Sequence, residues 1–226
     1  MKKPTIGSVF DELQQVYTQK MIGWVPFYLK MIEGILPDFP KDQPARNLLD
    51  LGTGNGNIAV MLLEKYPSAK LHLIDASTKM LDACRERFKA RSNIVYQQAL
   101  MQDLQLEKGR FDLITASFSL HHMNDKEKEL VIKNIWHWLR PQGIFSYADL
   151  FIDRTDPSYS SLLTYWKDFV YKKAGLEEWE ELFDHHQKYD FPCSLSNTMR
   201  WLQEAGFSQI SVSLRDKYWL NILAKA

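Results

Sequence analysis

At 226 residues the chain is long enough to bury one substantial core, and no long Gly/Ser- or Pro-rich linker divides it, which argues against two independent domains. Lys plus Arg and Asp plus Glu both number 28, so the broad positive excess of a phosphate-tracking surface is missing and no nucleic-acid partner is expected. Nothing reads as a signal-peptide stretch or a membrane-length apolar run, and the two cysteines, Cys84 and Cys193, are too few for a disulfide framework; a cytoplasmic protein with reduced thiols and no membrane partner is expected.

Two helical candidates come first, Ser8 to Met21 and Val25 to Ile35, and Pro37, Pro40 and Pro44 mark the approach to the core. Asn47 to Pro67, NLLDLGTGNGNIAVMLLEKYP, then reads as a buried strand that breaks into a glycine turn and opens a helix. Leu48, Leu49 and Leu51 suit a strand covered on both faces, while Gly52, Gly54 and Gly56 leave no Cβ between the backbone and a ligand. The turn is G-x-G-x-G. Asn57 stands where a dinucleotide fingerprint needs its third glycine, so a pyrophosphate ligand is disfavoured, and Asp50 at the strand end can face a cationic group.

Ala69 to Asp75, AKLHLID, reads as a second strand ending in an acid, and Ser77 can cap the helix TKMLDACRERF. Asp75 lies ~20 residues past the glycines, where an acid can accept two hydrogen bonds from a ribose diol. Strand and helix patterns go on alternating to about Asp149. Asn124 or Asp125 begins a helix reaching Leu139 with Ile132, Ile135, Trp136 and Leu139 as its buried stripe, and a fifth strand ends near Asp149. This alternation predicts βαβ units, right-handed crossovers and a parallel sheet. Phe151 to Asn197 is an aromatic-rich insert: Asp156-Pro157 starts one helix, Gly175 ends it, and LEEWEELFDHHQKY forms a second. After WLQEAGF, Trp201 to Phe207, SQISVSL and YWLNILAKA read as strands.

Asp50-Leu51-Gly52-Thr53-Gly54-Asn55-Gly56 resembles motif I of the class I S-adenosylmethionine-dependent methyltransferases. Phe111 to Met123 is similar to the family's fourth-strand motif, Leu139 to Phe145 (LRPQGIF) to its turn into strand five, and WLQEAGF to its last helix; with Asp75, five ordered matches span residues 48 to 207. The resemblance implies a Rossmann-like α/β fold, a seven-stranded mostly parallel sheet with helices on both faces. To this the chain adds an N-terminal helical cap (1–44) and a helical lid insert (151–197), flanking a cofactor-binding core (45–150) and a closing helix with strands (198–226), all in one domain.

The cofactor so implied is S-adenosyl-L-methionine, with Asp50, Gly52, Thr53, Gly54, Asn55, Gly56, Asp75, Ala76, Met80 and Ser117 around it. Tyr17, in FDELQQVY, resembles an N-terminal tyrosine that closes over the cofactor in many relatives; helix packing is its rival role. One departure stands out: QQALMQDL puts Leu100 where relatives carry an acid for the adenine amino group. Leu100 and Met101 are therefore assigned backbone and apolar contacts to adenine, and Asp103 serves the loop.

A sulfonium carries its own activation, so the protein mainly aligns the acceptor and excludes water. Groups able to take a proton should lie at the ends of strands four and five: Ser117, Ser119, His121, His122, Tyr147 and Asp149, of which His121, His122 and Asp149 are the catalytic candidates. A metal site made by these histidines with His185 and His186 is not expected, because adjacent histidines on a helix point apart. No N-P-P-Y or D-P-P-Y follows strand four, which with the neutral charge and aromatic insert favours a small-molecule, partly apolar acceptor, worked on by a monomer or homodimer. The alternatives are a protein that binds the same cofactor but transfers another group or is catalytically silent, and a nicotinamide-dependent oxidoreductase.

Overall fold

The computed structural model describes residues 17–226, leaving aside the side chains of residues 213–216. The first expected helix, Ser8 to Met21, lies mostly outside this range; its described part is α1, Tyr17–Trp24. The second is shorter than expected, α2 at Tyr28–Glu33, because Phe27 after Pro26 takes a left-handed φ of 59° that interrupts the helix.

Seven strands form one sheet: β1 Asn47–Leu51, β2 Lys70–Asp75, β3 Ile94–Gln98, β4 Phe111–Ser117, β5 Leu139–Leu150, β6 Ser208–Asp216 and β7 Trp219–Lys225. Their order is β3-β2-β1-β4-β5-β7-β6. β1 to β5 pair in parallel, as the alternation of strands and helices predicts, and β7 runs antiparallel to both β5 and β6. The order reverses between β1 and β4. At such a switch point the carboxyl ends of neighbouring strands diverge and leave a crevice for a ligand.

The central strands are apolar on both faces because helices cover both. Leu48, Leu49 and Leu51 are all fully buried, with Leu48 in one core and Leu49 and Leu51 in the other. The first core takes the apolar sides of α3 (Asn57–Lys65) and α4 (Thr78–Arg87), and also α6 (Tyr159–Ala174) and α7 (Leu176–Tyr189) of the insert. The second takes α5 (Asp125–Trp138) and α8 (Leu195–Ala205).

Local signals set the helix ends. Ser77 Oγ accepts from the Met80 N–H, and Asn124 makes a capping box with Glu127. Gly206 closes α8 at φ 108°. Three details depart from expectation. Trp138, not Trp136, is buried on α5, since the stripe runs Val131, Ile132, Ile135, Trp138 at 3.6-residue spacing and leaves Trp136 half-buried. Leu139 is already the first residue of β5. The insert's first helix starts after Ser158, because Asp156 and Pro157 belong to a turn in which Asp156 accepts from the Ser158 and Tyr159 N–H groups. No helix among the described residues is long and apolar enough to cross a membrane.

Candidate functional site

β1 ends in a turn whose glycines do different things. A Cβ on Gly52 would meet Ser119 Cβ at 2.4 Å and Met101 Cε at 2.8 Å, so this position admits only bare backbone. At Gly54, φ is +55° and a Cβ would lie 3.4 Å from the Tyr17 ring. Gly56 faces away, toward Phe88 and Cys84, and serves as the left-handed N-cap of α3. The turn is stapled to β2: Asp75 Oδ2 accepts from the Gly54 N–H at 2.8 Å while Oδ1 accepts from the Ser77 N–H at 2.8 Å.

Above the turn lies a cavity of about 780 Å³ including its open mouth. Of the residues singled out in the sequence, Tyr17, Gly52, Gly54, Asp75, Ala76, Leu100, Met101, Ser119 and His122 line it. Leu100 is 41 % exposed there, an apolar side chain presented to a cavity instead of the core. Thr53, Asn55, Met80 and Ser117 stand outside the wall: Thr53 and Met80 are buried behind it, and Asn55 Nδ2 donates to Thr18 Oγ1 at 2.9 Å. Asp50 is also behind the turn. One of its oxygens accepts from Thr115 Oγ1 at 2.7 Å, and burial pushes its carboxyl up to about 6 although hydrogen bonds from Thr115 and Thr53 work against the rise. The sequence did not single out Phe118, Gln102 or Glu127, which also line the cavity.

A second cavity, about 580 Å³, opens beside the first, and the two share Tyr17, Phe118 and His122 as their common wall. Phe118 holds that position with a φ of +50°, a strained backbone for an aromatic residue of the kind that concentrates at functional sites. Its ring meets Tyr28 at 5.6 Å. Met21, Trp24, Leu150 and Trp219 make the far side apolar, and from the insert Trp166 and Leu182 contribute. Trp166 Nε1 donates to the Trp24 carbonyl at 2.6 Å, tying the insert to the N-terminal helices. Tyr159, Tyr165, Phe169 and Phe183 pack into the first core instead of lining the cavity, and Tyr171 faces solvent.

One end of this cavity is polar. His121 and His122 sit on a 3-10 turn, Leu120–His122, whose tight winding brings their rings to 4.1 Å instead of spreading them as an α-helix would. His121 Nδ1 is 2.5 Å from Asp149 Oδ1, at the end of β5. His122 Nδ1 is 3.0 Å from Asp190 Oδ1. Asp190 follows α7 and its only sequence signal is the i,i+4 spacing from His186, whose Nδ1 lies 2.8 Å from Asp190 Oδ2.

Burial would lower the His121 imidazole, but Asp149 and Asp190 outweigh it and raise it to about 9. Burial and the neighbouring His121 push His122 down, and burial takes His185 down to about 4. Burial alone would raise Asp190; the surrounding imidazoles hold it well below the usual carboxylate range. Burial drives the phenols of Tyr17 and Tyr147 well above their ordinary value, so neither gives up a proton near neutrality.

Residues 48–143 match a family described as "Methyltransferase domain". A carboxy-S-adenosyl-L-methionine synthase from Nautilia profundicola is 26% identical over 217 residues, 93% of this chain and 89% of that protein. Among solved structures, a protein from Thermotoga maritima titled an S-adenosylmethionine-dependent methyltransferase, possible histamine N-methyltransferase, matches with a TM-score of 0.65 at 16% identity, covering 98% of this chain and 99% of that one. Human N-acetylserotonin methyltransferase in complex with S-adenosylmethionine matches with a TM-score of 0.59 at 18% identity; the alignment covers 96% of this chain and 55% of the human one.

Proposed function

Because the chain belongs to the class I S-adenosylmethionine-dependent methyltransferases, we propose that it transfers a methyl group from S-adenosylmethionine, held over the glycine turn, to a small, partly apolar acceptor in the second cavity. The observation that carries this reading is the shared wall: Tyr17, Phe118 and His122 face both cavities, so two ligands seated in them would meet there.

The residues suit this cofactor. Bare backbone at Gly52 and Gly54 admits it closely, the Asp75 carboxylate faces the cavity for a diol, and exposed Leu100 with Met101 offers an apolar strip to a planar base. When bound, S-adenosylmethionine supplies a methyl group that is already activated. The protein then has to orient and to exclude water. Tyr17 closes one side, Trp166 and Leu182 of the insert roof the acceptor cavity, and His121, His122 and Asp190 line its polar end, where an acceptor heteroatom is held; Asp149, buried behind the cavity wall, keeps His121 protonated, so His122 is the imidazole left to draw off a proton. In this reading residues 17–44 and 151–197 act as cap and lid on a single domain. Two buried, unpaired cysteines, Cys84 and Cys193, suit a cytoplasmic setting.

Mass spectrometry of the ligand that copurifies with the protein tests the reading, followed by a screen of small amines, phenols and thiols for acceptor-dependent release of S-adenosylhomocysteine. Release with at least one acceptor is expected. A bound nicotinamide cofactor would contradict it. The likeness to a carboxy-S-adenosyl-L-methionine synthase favours one second reading, in which a modified cofactor is made or used; a copurified ligand heavier by a carboxyl group would select it.

A further inference from the structure

The polar end of the second cavity gathers four imidazoles around the buried Asp190 carboxylate, with Asp149 behind His121. Asp149 and Asp190 are 0 % and 7 % exposed, and the protonated His121 between them supplies one compensating positive charge, a place that a metal ion would fill equally. Lys128, the buried ammonium nearby, is already held by the Phe191 carbonyl and by Asp125. What faces the two carboxylates is a group of imidazoles.

We propose that His121, His122 and Asp190 bind one divalent transition-metal ion of the zinc type, with an open coordination position toward the second cavity. These three residues offer one ligand atom each, all within 4.8 Å of one another. His122 Nδ1 and His121 Nε2 lie 3.0 and 3.7 Å from Asp190 Oδ1. Tetrahedral metal bonds of about 2.0–2.2 Å put neighbouring ligand atoms about 3.3–3.6 Å apart, so His122 would open from Asp190 and His121 close on it, each by a few tenths of an ångström. Two imidazoles with one carboxylate select a late first-row ion over magnesium or calcium, which prefer oxygen.

The outer groups orient these ligands. Asp149 engages His121 Nδ1 and leaves Nε2 for the ion, the carboxylate–histidine–metal arrangement. Asp190 Oδ2 is taken by His186 Nδ1, whose Nε2 meets Tyr159 Oη at 2.7 Å, so Oδ1 is the oxygen left to ligate. Arg154 Nη2 donates to the Asp190 carbonyl at 2.9 Å and to the His186 carbonyl at 2.5 Å, fixing the residue's backbone. A fourth imidazole, His185 Nε2, stands 3.6 Å from Asp190 Oδ1. Metal binding follows from this geometry alone. That the ion acidifies an acceptor heteroatom at its open position rests on the proposed methyl transfer.

The test uses the full chain, stripped with a chelator and titrated calorimetrically with Zn²⁺ and, separately, with Co²⁺ while the visible spectrum is recorded. One equivalent of each is expected, with the intense visible bands of a low-coordinate cobalt site. Asp149→Asn should weaken Zn²⁺ binding by about 10–100-fold. His122→Ala, shown folded by circular dichroism, should abolish stoichiometric binding. If His122→Ala does not fold, the cobalt spectrum and the Asp149→Asn titration decide. Failure of the wild type to bind either ion, or unchanged binding in a folded His122→Ala, would overturn the site and leave a proton-bound cluster. Both results are read without any acceptor, so they stand apart from the fate of the methyl-transfer reading.

Discussion

Asp75 Oδ2 accepts a hydrogen bond from the Gly54 N–H at 2.8 Å, so the acid at the end of β2 holds the glycine turn of β1 in shape as well as facing the cavity above it. The two roles give Asp75→Ala two effects. Loss of hydrogen bonds to a charged group should weaken S-adenosylhomocysteine binding by about 1.5–3 kcal/mol. Loss of the staple should also lower the melting temperature of the ligand-free protein. Calorimetry and thermal unfolding read them separately, and an unchanged affinity in a folded variant would remove Asp75 from the cofactor site.

Gly54→Val is expected to harm binding more than folding. The left-handed φ of +55° penalises any β-branched residue, and the side chain would grow into the space between the turn and the Tyr17 ring. The ligand-induced rise in melting temperature should largely vanish. A full rise would contradict the placement of a ligand over the turn.

Asp50 gives a pH dependence. Its carboxyl titrates near 3.8 in solvent and at about 6 in the fold. Between those values the folded state keeps a proton that the unfolded state has lost, so stability falls as pH rises through the window; the penalty is absent below the lower value and full above the upper. Asp50→Asn should flatten that slope and stabilise the ligand-free protein above pH 6 by at most about 3 kcal/mol. Urea unfolding at pH 4, 5, 6 and 7 checks it. An Asp50→Asn variant that keeps the wild-type slope would show that another group is responsible.

The insert is bound into the core more deeply than a loose flap would be. Leu162, Trp166, Val170, Trp179 and Leu182 are all buried, and Lys20 of α1 pairs with Glu178 and Glu181 of α7. Trp166→Ala should therefore cost about 3–5 kcal/mol of stability, the range for removing a buried aromatic. Chemical unfolding measures it. A cost under about 1 kcal/mol would mean that the insert is a detachable cover.

What could be read from the chain was whatever is written locally. The Gly52–Gly56 turn, the Ser77 cap, Gly175 between the insert helices and Gly206 after α8 each combine a residue type with a backbone need at one point, and each is found where the pattern put it. The alternating apolar runs likewise pointed to the parallel part of the sheet, whereas the strand order and the final antiparallel hairpin did not follow from them. The polar cluster was not legible as a unit, since Asp190 meets His121 and His122 only through packing of the insert over the sheet. The left-handed Phe118 was equally hidden: nothing in an aromatic residue after a strand announces a positive φ. Trp136 and Trp138 show the limit of periodicity, because two aromatics two positions apart each fit part of a helical stripe and only the packed core decides between them.

The central claim is that the cavity over Gly52 and Gly54 holds an adenosyl-sulfur cofactor. Calorimetric titration of the chain with S-adenosylhomocysteine and, in a parallel cell, with NAD tests it most directly. One-to-one binding of S-adenosylhomocysteine, lost in Gly54→Val, with no heat from NAD is the predicted result; binding of NAD alone, or S-adenosylhomocysteine binding that Gly54→Val leaves untouched, would contradict it.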